Sequence, residues 1–352
     1  MKTQEEKQEI KELSKDQLVA WFEAHGMRSF RAVQVLKWLY LRQVDAFDQM
    51  TDIDKKTREL LSNSFSNKRL LLKKTESSRD GSKKYLFQLE DGNSIESVLI
   101  PEKDHYTLCI SSQVGCSQGC RFCLTAKSGL IRNLSTSEII SQIRDIQHAM
   151  EDPARLSNIV LMGMGEPLAN FKNVVRALKI ITDGDVGLKF SNRRVTLSTA
   201  GLVPRMNDLG KETQVNLAVS LNAADNDTRS RLMPINRRYP IETLLETCRN
   251  YPLKKRKKIT FEYILIKGIN DGVEDAARLA KILKPVKCKI NLIPFNEHDG
   301  SPFKRPDEST IASFQSVLVK HNYTAIIRQS KGRDISAACG QLRARTADPL
   351  TG

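Results

Sequence analysis

Cys116-Ser117-Gln118-Gly119-Cys120-Arg121-Phe122-Cys123 packs three thiols into eight residues, spaced C-x3-C-x2-C. Gly115 and Gly119 loosen the backbone around them. Thiolates are the usual ligands of iron–sulfur clusters, and a four-iron cluster normally takes four. Three in one short loop therefore leave one iron of a [4Fe-4S] cluster without a protein ligand, open to a small molecule. A zinc site would want a fourth ligand or a pair of Cys-x2-Cys knuckles, and the chain has no second knuckle. Structural disulfides belong to oxidising compartments. Met1 to Lys15 is charged throughout with no apolar signal core, which points instead to the cytoplasm. The expectation is a cluster held by Cys116, Cys120 and Cys123.

Outward from this loop the chain alternates between two periodicities. Strand-like runs fall over 107–112, 158–163, 194–199, 214–221, 259–266, 289–294 and 323–327. Helical patterns fall between most of them, over 136–150, 171–181, 241–249, 273–283 and 308–320. Such alternation predicts an α/β fold with a parallel sheet and helices outside it, open or barrel-like. In parallel α/β barrels the reactive groups sit where strands end at the carboxyl face. The cysteine loop follows the first strand, and Gly163-Met164-Gly165-Glu166-Pro167 follows the second. Ser198 ends the third, Ser220-Leu221-Asn222 ends the fourth, and Asn296 comes just after the sixth.

The triad with an aromatic residue before its last cysteine, here Phe122, resembles the radical S-adenosylmethionine (SAM) superfamily. That resemblance implies a partial (β/α)6 barrel in which the amino and carboxylate groups of SAM chelate the free iron. It also implies that one electron cleaves SAM to a 5′-deoxyadenosyl radical. Within such a barrel Gly165 and Glu166 become the clamp for the SAM amino group. Ser198, Ser220, Leu221, Asn222 and Asn296 become candidates for its carboxylate, ribose or adenine.

Four longer stretches are similar to the bacterial dual-specificity RNA methyltransferases: Thr107 to Cys116, Gly163 to Leu168, Arg231-Leu232-Met233-Pro234-Ile235-Asn236, and Ala337-Ala338-Cys339-Gly340-Gln341-Leu342. The resemblance implies methylation of adenine carbon 2 in 23S ribosomal RNA and in certain transfer RNAs, with two SAM molecules per turnover. Cys339 would be methylated first and would carry the carbon to the base. Glu96 would accept a proton, and Cys109 would release product through a transient disulfide with Cys339. An electron donor such as flavodoxin or ferredoxin, and a monomeric chain, are further implications. One departure is Ser220-Leu221-Asn222, where the family often reads Ser-Leu-His; Asn keeps a donor and an acceptor but cannot titrate. Cys248 and Cys288 read as small buried hydrophobes.

The rest of the chain sets bounds. The 352 residues suggest about two domains. No run of about 18 apolar residues spans a membrane. The net charge of +15, from 56 basic and 41 acidic residues, favours polyanionic partners. Residues 1–68 read as a small helical accessory domain, with Leu18, Trp21 and Phe22 on one apolar face and Val35, Leu36 and Leu39 on a second. Residues 69–106 read as a β-hairpin extension with turns at Asp80-Gly81 and Asp91-Gly92. Residues 107–342 form the barrel with its cysteine segment, and 343–352 a disordered tail. The basic run Lys254 to Lys258 is either a solvated loop or a phosphate contact. Two rival activities stand beside the carbon-2 reading. One is the relative that methylates carbon 8 of the same ribosomal adenine, against which Pro167 after Glu166 argues. The other is a cluster-bearing RNA-binding protein without catalysis.

Overall fold

A computed structural model describes residues 7–343; the tail expected over 343–352 lies, but for its first residue, outside them. The amino-terminal module holds three helices. Ser14 opens α1 (Lys15–Ala24) with a capping box, its hydroxyl accepting from Gln17 N at 3.1 Å while Gln17 Oε1 accepts from Ser14 N at 2.9 Å. α2 (Phe30–Tyr40) and α3 (Lys55–Ser64) follow, the last capped by Asp54 on Thr57 N. Leu18, Phe22, Val35, Leu39 and Leu61 are fully buried between them.

Ten strands make one sheet in which spatial order equals chain order. β1 (Leu71–Ser77), β2 (Lys83–Gln88) and β3 (Ser94–Pro101) form an antiparallel meander. β3 pairs antiparallel with β4 (Tyr106–Cys109), so the meander continues into the barrel sheet without a break. From β4 onward every pairing is parallel: β5 (Leu156–Leu161), β6 (Val195–Thr199), β7 (Asn216–Ser220), β8 (Ile259–Leu265), β9 (Cys288–Pro294) and β10 (Ala325–Ile327).

The crossovers between these strands carry α4 (Thr136–His148), α5 (Phe171–Thr182), α6 (Val203–Glu212), α7 (Ile241–Asn250), α8 (Val273–Leu283) and α9 (Glu308–Lys320). The sequence pattern leaves α6 unassigned. Its apolar face is only Val203, Met206 and Leu209, with Pro204 in the first turn, where the missing N–H costs nothing. Six βα units and a seventh parallel strand give the partial barrel. Among the described residues β4 and β10 do not pair, so the barrel stays open along one seam.

Alternation along the parallel strands sorts residues by face. Leu108, Ile159, Leu197, Leu217, Phe261 and Ile290 are buried on one side. Their chain neighbours Thr107, Val160, Thr196, Ala218, Thr260 and Lys289 line a lumen of about 500 Å³ on the other. Residues 328–343 run back across the open seam as a strap onto the meander. Asp334 accepts from Ser78 Oγ at 2.5 Å, Gly332 N donates to Asp80 Oδ2 at 2.7 Å, and Lys84 Nζ donates to Ile335 O at 2.7 Å.

Candidate active site

The cysteine loop hangs from a small hairpin that the sequence pattern does not reveal. Gln113–Gly115 pairs antiparallel with Leu130–Asn133, and Cys116 N donates to Gly129 O at 2.7 Å, closing the loop at its base. Arg121 N donates to Leu232 O at 3.0 Å and Leu124 N to Gly340 O at 2.8 Å, which tie the loop to two other carboxyl-end segments. Cys116, Cys120 and Cys123 line one cavity of about 140 Å³. Burial, and after it the neighbouring acidic groups and thiols, push Cys116 up to about 12. Burial, and after it Cys123 and Cys116, raise Cys120 well above the ordinary thiol value. Among the described residues no three His, Cys, Asp or Glu groups converge to hold a single ion. Three thiols around a shared cavity suit a cluster, whose irons occupy separate corners, better than a lone zinc.

The loop after β5 presses against this cavity. Gly165 has φ +104°, and a Cβ there would lie 2.6 Å from the Gln113 side chain, so only glycine permits the approach. Glu166 is buried; Oε1 accepts from Leu168 N at 3.1 Å and Thr199 Oγ1 at 2.8 Å, and Oε2 from Ala200 N at 2.7 Å. Burial raises its pKa against those donors. A carboxylate has about four acceptor sites, so one remains for an ammonium. Asn222, in the left-handed region at φ +58°, donates to Met233 Sδ at 3.2 Å and accepts from Ile264 N at 2.8 Å. Leu221 is wholly buried, while Ser220 borders the cavity. Ser198 Oγ donates to Glu262 Oε2 at 2.9 Å. Asn296 donates to Cys339 O at 3.2 Å, and its buried Oδ1 has no partner among the described residues. That orphaned acceptor wants a donor, such as the amino group of an adenine. The donor set thus suits a three-thiol cluster and, through Glu166, the ammonium of SAM; Asn296 lies outside the lining of this cavity.

Cys339, on the strap, borders the cluster cavity and the lumen alike. Its exposed surface is cavity wall, and burial, with Glu262 next, pushes its thiol up to about 11. Cys109, at the end of β4, faces the same lumen, and burial and then Cys339 raise its pKa. The strap and the first barrel strand therefore bring the two expected redox thiols to one space. All seven cysteines are free thiols, and Cys248 and Cys288 are buried in the core.

Glu96 stands apart from both cavities. It is buried on β3, 3.4 Å from Lys84 Nζ, and Oε2 accepts from Arg343 N at 2.8 Å. Burial raises its pKa against Lys84 and that N–H. Three further residues shape the site without any signal in the sequence pattern. Glu262 on β8 borders both cavities. Lys84 bridges Glu96, Glu76 and the strap. Arg229 is wholly buried and donates to the carbonyls of Ala200, Ser220, Leu221 and Tyr239 and to Asn236 Oδ1.

Comparison with known proteins follows the same lines. Residues 110–280 match the family described as the radical SAM superfamily. Residues 8–66 match the ribosomal RNA large subunit methyltransferase N-terminal domain. The chain is 59% identical over 337 residues to the dual-specificity RNA methyltransferase RlmN of Desulfosudis oleivorans, covering 96% of this chain and 91% of that one. It is 51% identical to the protein of the same name from Geotalea uraniireducens, covering 97% and 98%. A crystal structure of a radical SAM methyltransferase from Sphaerobacter thermophilus superposes with a TM-score of 0.90 at 40% identity, covering 96% of this chain and 100% of that one.

Proposed function

The chain belongs to the RlmN family of radical SAM dual-specificity RNA methyltransferases, and from that premise we propose how its own residues carry one carbon to an RNA base. The product is adenine methylated at carbon 2, in 23S ribosomal RNA and in a subset of transfer RNAs. Carbon 2 is an electron-poor, amidine-type carbon and cannot attack a sulfonium methyl as a nucleophile. When bound, the cluster on Cys116, Cys120 and Cys123 and two SAM molecules per turnover supply the methyl group and a 5′-deoxyadenosyl radical. Gly165, Glu166, Ser198, Ser220 and Asn222, which line the cluster cavity, hold and orient SAM, with Leu221 and Asn296 supporting them from outside its lining.

Cys339 is the carrier. Its sulfur takes the methyl group as a thiolate, the thiol proton passing to solvent and S-adenosylhomocysteine leaving. The methylated thiol later gives up a hydrogen atom, and the carbon left behind bonds to carbon 2 of the base. To Glu96 falls the proton that carbon 2 releases; because Glu96 stands outside both cavities, held by Lys84 and by Arg343 N four residues beyond Cys339, that transfer requires the carrier segment to let it go. Cys109, as a thiolate, then attacks the Cys339 sulfur; the sulfur–carbon bond breaks with its electron pair left on the carbon, which takes up a proton to become the methyl group, and the transient disulfide is afterwards reduced by the electron source. The target adenine leaves its stack to reach this depth.

One observation supports the scheme above all: Cys339 sits at the junction of the cavity that gathers the three cluster thiols and the lumen that contains Cys109. The test is anaerobic turnover of reconstituted protein with SAM, reductant and RNA fragments. Cys339→Ala is expected to abolish methylation, and Cys109→Ala to accumulate a covalent protein–RNA adduct. Full methylation by Cys339→Ala would overturn the scheme. Nuclease digestion and mass spectrometry distinguish 2-methyladenosine from the carbon-8 product. No helix among the described residues is long and apolar enough to cross a membrane; we place the reaction in the cytoplasm, with flavodoxin or ferredoxin as electron source and the chain as a monomer.

A further inference from the structure

The lumen beneath Cys339 has a volume of about 500 Å³, within the range that encloses a nucleoside-sized ligand. Glu262 stands where it meets the cluster cavity, paired in register with Ser220 on one side and Asn291 on the other. Among the described residues it is the one charged or titratable side chain besides Cys339 that borders both spaces. Its hydrogen bonding is incomplete. Ser198 Oγ donates to Oε2, and among the described residues Oε1 accepts no hydrogen bond and no ion pair involves this carboxyl. Arg328 and Lys289 face the same lumen without pairing with it. Burial raises its pKa.

When it carries a proton, a carboxyl group in this setting offers an acceptor oxygen beside an O–H donor. Ser198 marks Oε2 as the acceptor and leaves Oε1 as the donor. That pair complements the edge of adenine formed by N1, an acceptor, and the 6-amino group, a donor. Guanine reverses both positions and is refused. We propose that Glu262 is the group that reads the target adenine, donating from Oε1 to N1 and accepting the 6-amino group on Oε2, which turns carbon 2 toward Cys339. This rests on the carrier role given above to Cys339. Donation to N1 also draws electron density from the adjacent carbon 2. Carbon radicals stabilised by a neighbouring sulfur are nucleophilic and add faster to nitrogen heterocycles so polarised. Glu262 then favours both the choice of base and the bond that forms on it, and no proton need leave the carboxyl.

The experiment uses reconstituted full-length enzyme and a short RNA hairpin carrying either adenosine or purine riboside, which lacks the 6-amino group, at the target position. Three readouts are separated: methylation of Cys339 by peptide mass, 5′-deoxyadenosine formed, and kcat/KM for RNA methylation. The parent enzyme is expected to prefer adenosine by about tenfold or more. Glu262→Met lowers RNA methylation by a similar factor, loses that preference, and leaves Cys339 methylation within about twofold. Glu262→Gln, whose amide offers the same donor and acceptor, recovers activity to within about threefold of the parent. Iron content and melting temperature matched to the parent establish that the sites are assembled, and the isosteric Gln variant tests the proposal even if Met perturbs packing. Equal loss of Cys339 methylation in Glu262→Met would place the residue in methyl transfer instead. A Gln variant as poor as Met, or a Met variant that keeps the preference for adenosine, would equally overturn the proposal. Parent enzyme that never methylates Cys339 would overturn the carrier scheme itself, an outcome visible before any variant is made.

Discussion

Gly115 illustrates how far single atoms govern the cluster loop. At φ +75°, a Cβ would fall 1.9 Å from Gly129 O, the carbonyl that accepts Cys116 N. Gly115→Ala is expected to open the loop at its base and to lower iron bound after reconstitution well below the about four per chain of a full cluster, read by iron and sulfide analysis. Arg229 acts on the opposite wall. Its guanidinium satisfies carbonyls at the ends of β6 and β7 with no carboxylate partner among the described residues, and burial lowers its pKa to about 10. Arg229→Met strands those carbonyls and is expected to cost about 3 kcal/mol or more in denaturant unfolding. Glu262 adds a pH signature. Its folded pKa lies above its ordinary 4.5, so the native state binds the extra proton. Its contribution to stability is complete below about 4.5 and is lost as pH rises through the folded value. Glu262→Gln should flatten that part of the stability–pH curve.

At the scale of elements, the strap decides whether the carrier thiol stays in place. It crosses an open seam and is held by side chains rather than by a ladder: Asp334 on Ser78 and on Arg79 N, Asp80 on Gly332 N, Lys84 on Ile335 O. Burial works against the Asp80 anion, yet the hydrogen bonds from Gly332 and Ser82 prevail and hold its pKa near about 2. The anchor is therefore intact at neutral pH and is lost only as pH falls through that value. Asp80→Asn combined with Asp334→Asn is expected to raise hydrogen exchange across residues 330–343 by about tenfold while the barrel strands keep their protection. Exchange that stays unchanged would mean that the strap is held from its other end, by Thr125 Oγ1 on Leu342 O and Gln341 on Glu297 O.

On the scale of the whole molecule, the helical module and the barrel share a buried polar seam. Lys11, wholly buried, lies 2.5 Å from Glu9 and donates to Asn67 Oδ1 at 3.0 Å. Arg144 of α4 reaches Val44 O at 3.0 Å, and Asp145 accepts from Leu70 N at 2.8 Å. Arg144→Met strands Val44 O and removes one of the three cations, with Arg69 and Lys11, near the buried Asp145, and is expected to cost about 1–3 kcal/mol. Unfolding should remain a single transition if the module and barrel melt as a unit; two transitions would show them to be independent. The basic run Lys254 to Lys258 leads into the amino end of β8, at the end of the barrel opposite the cluster. Lys257 there donates to Gln214 O at 2.7 Å. Changing Lys254, Lys255 and Arg256 to Ser is expected to alter RNA affinity by less than about threefold, with an unchanged salt slope.

Much of this was legible in the chain because it is written in short-range pattern. Three thiols within eight residues specify a cluster loop wherever the chain takes it. Alternating periods of two and near four dictate strands and helices in order, which for a parallel sheet places the loops after Gly163, Ser198 and Asn222 at one end. Glu262 was hidden because a polar residue at an alternate strand position reads the same whether it faces water or a lumen. Only sheet curvature and register turned that face inward. The meeting of Cys109 with Cys339, the withdrawal of Glu96 to Lys84 and Arg343, and the closing of the seam by the strap were likewise decided in three dimensions. Each joins residues far apart in the chain, and no local backbone preference encodes which distant partner a side chain will find.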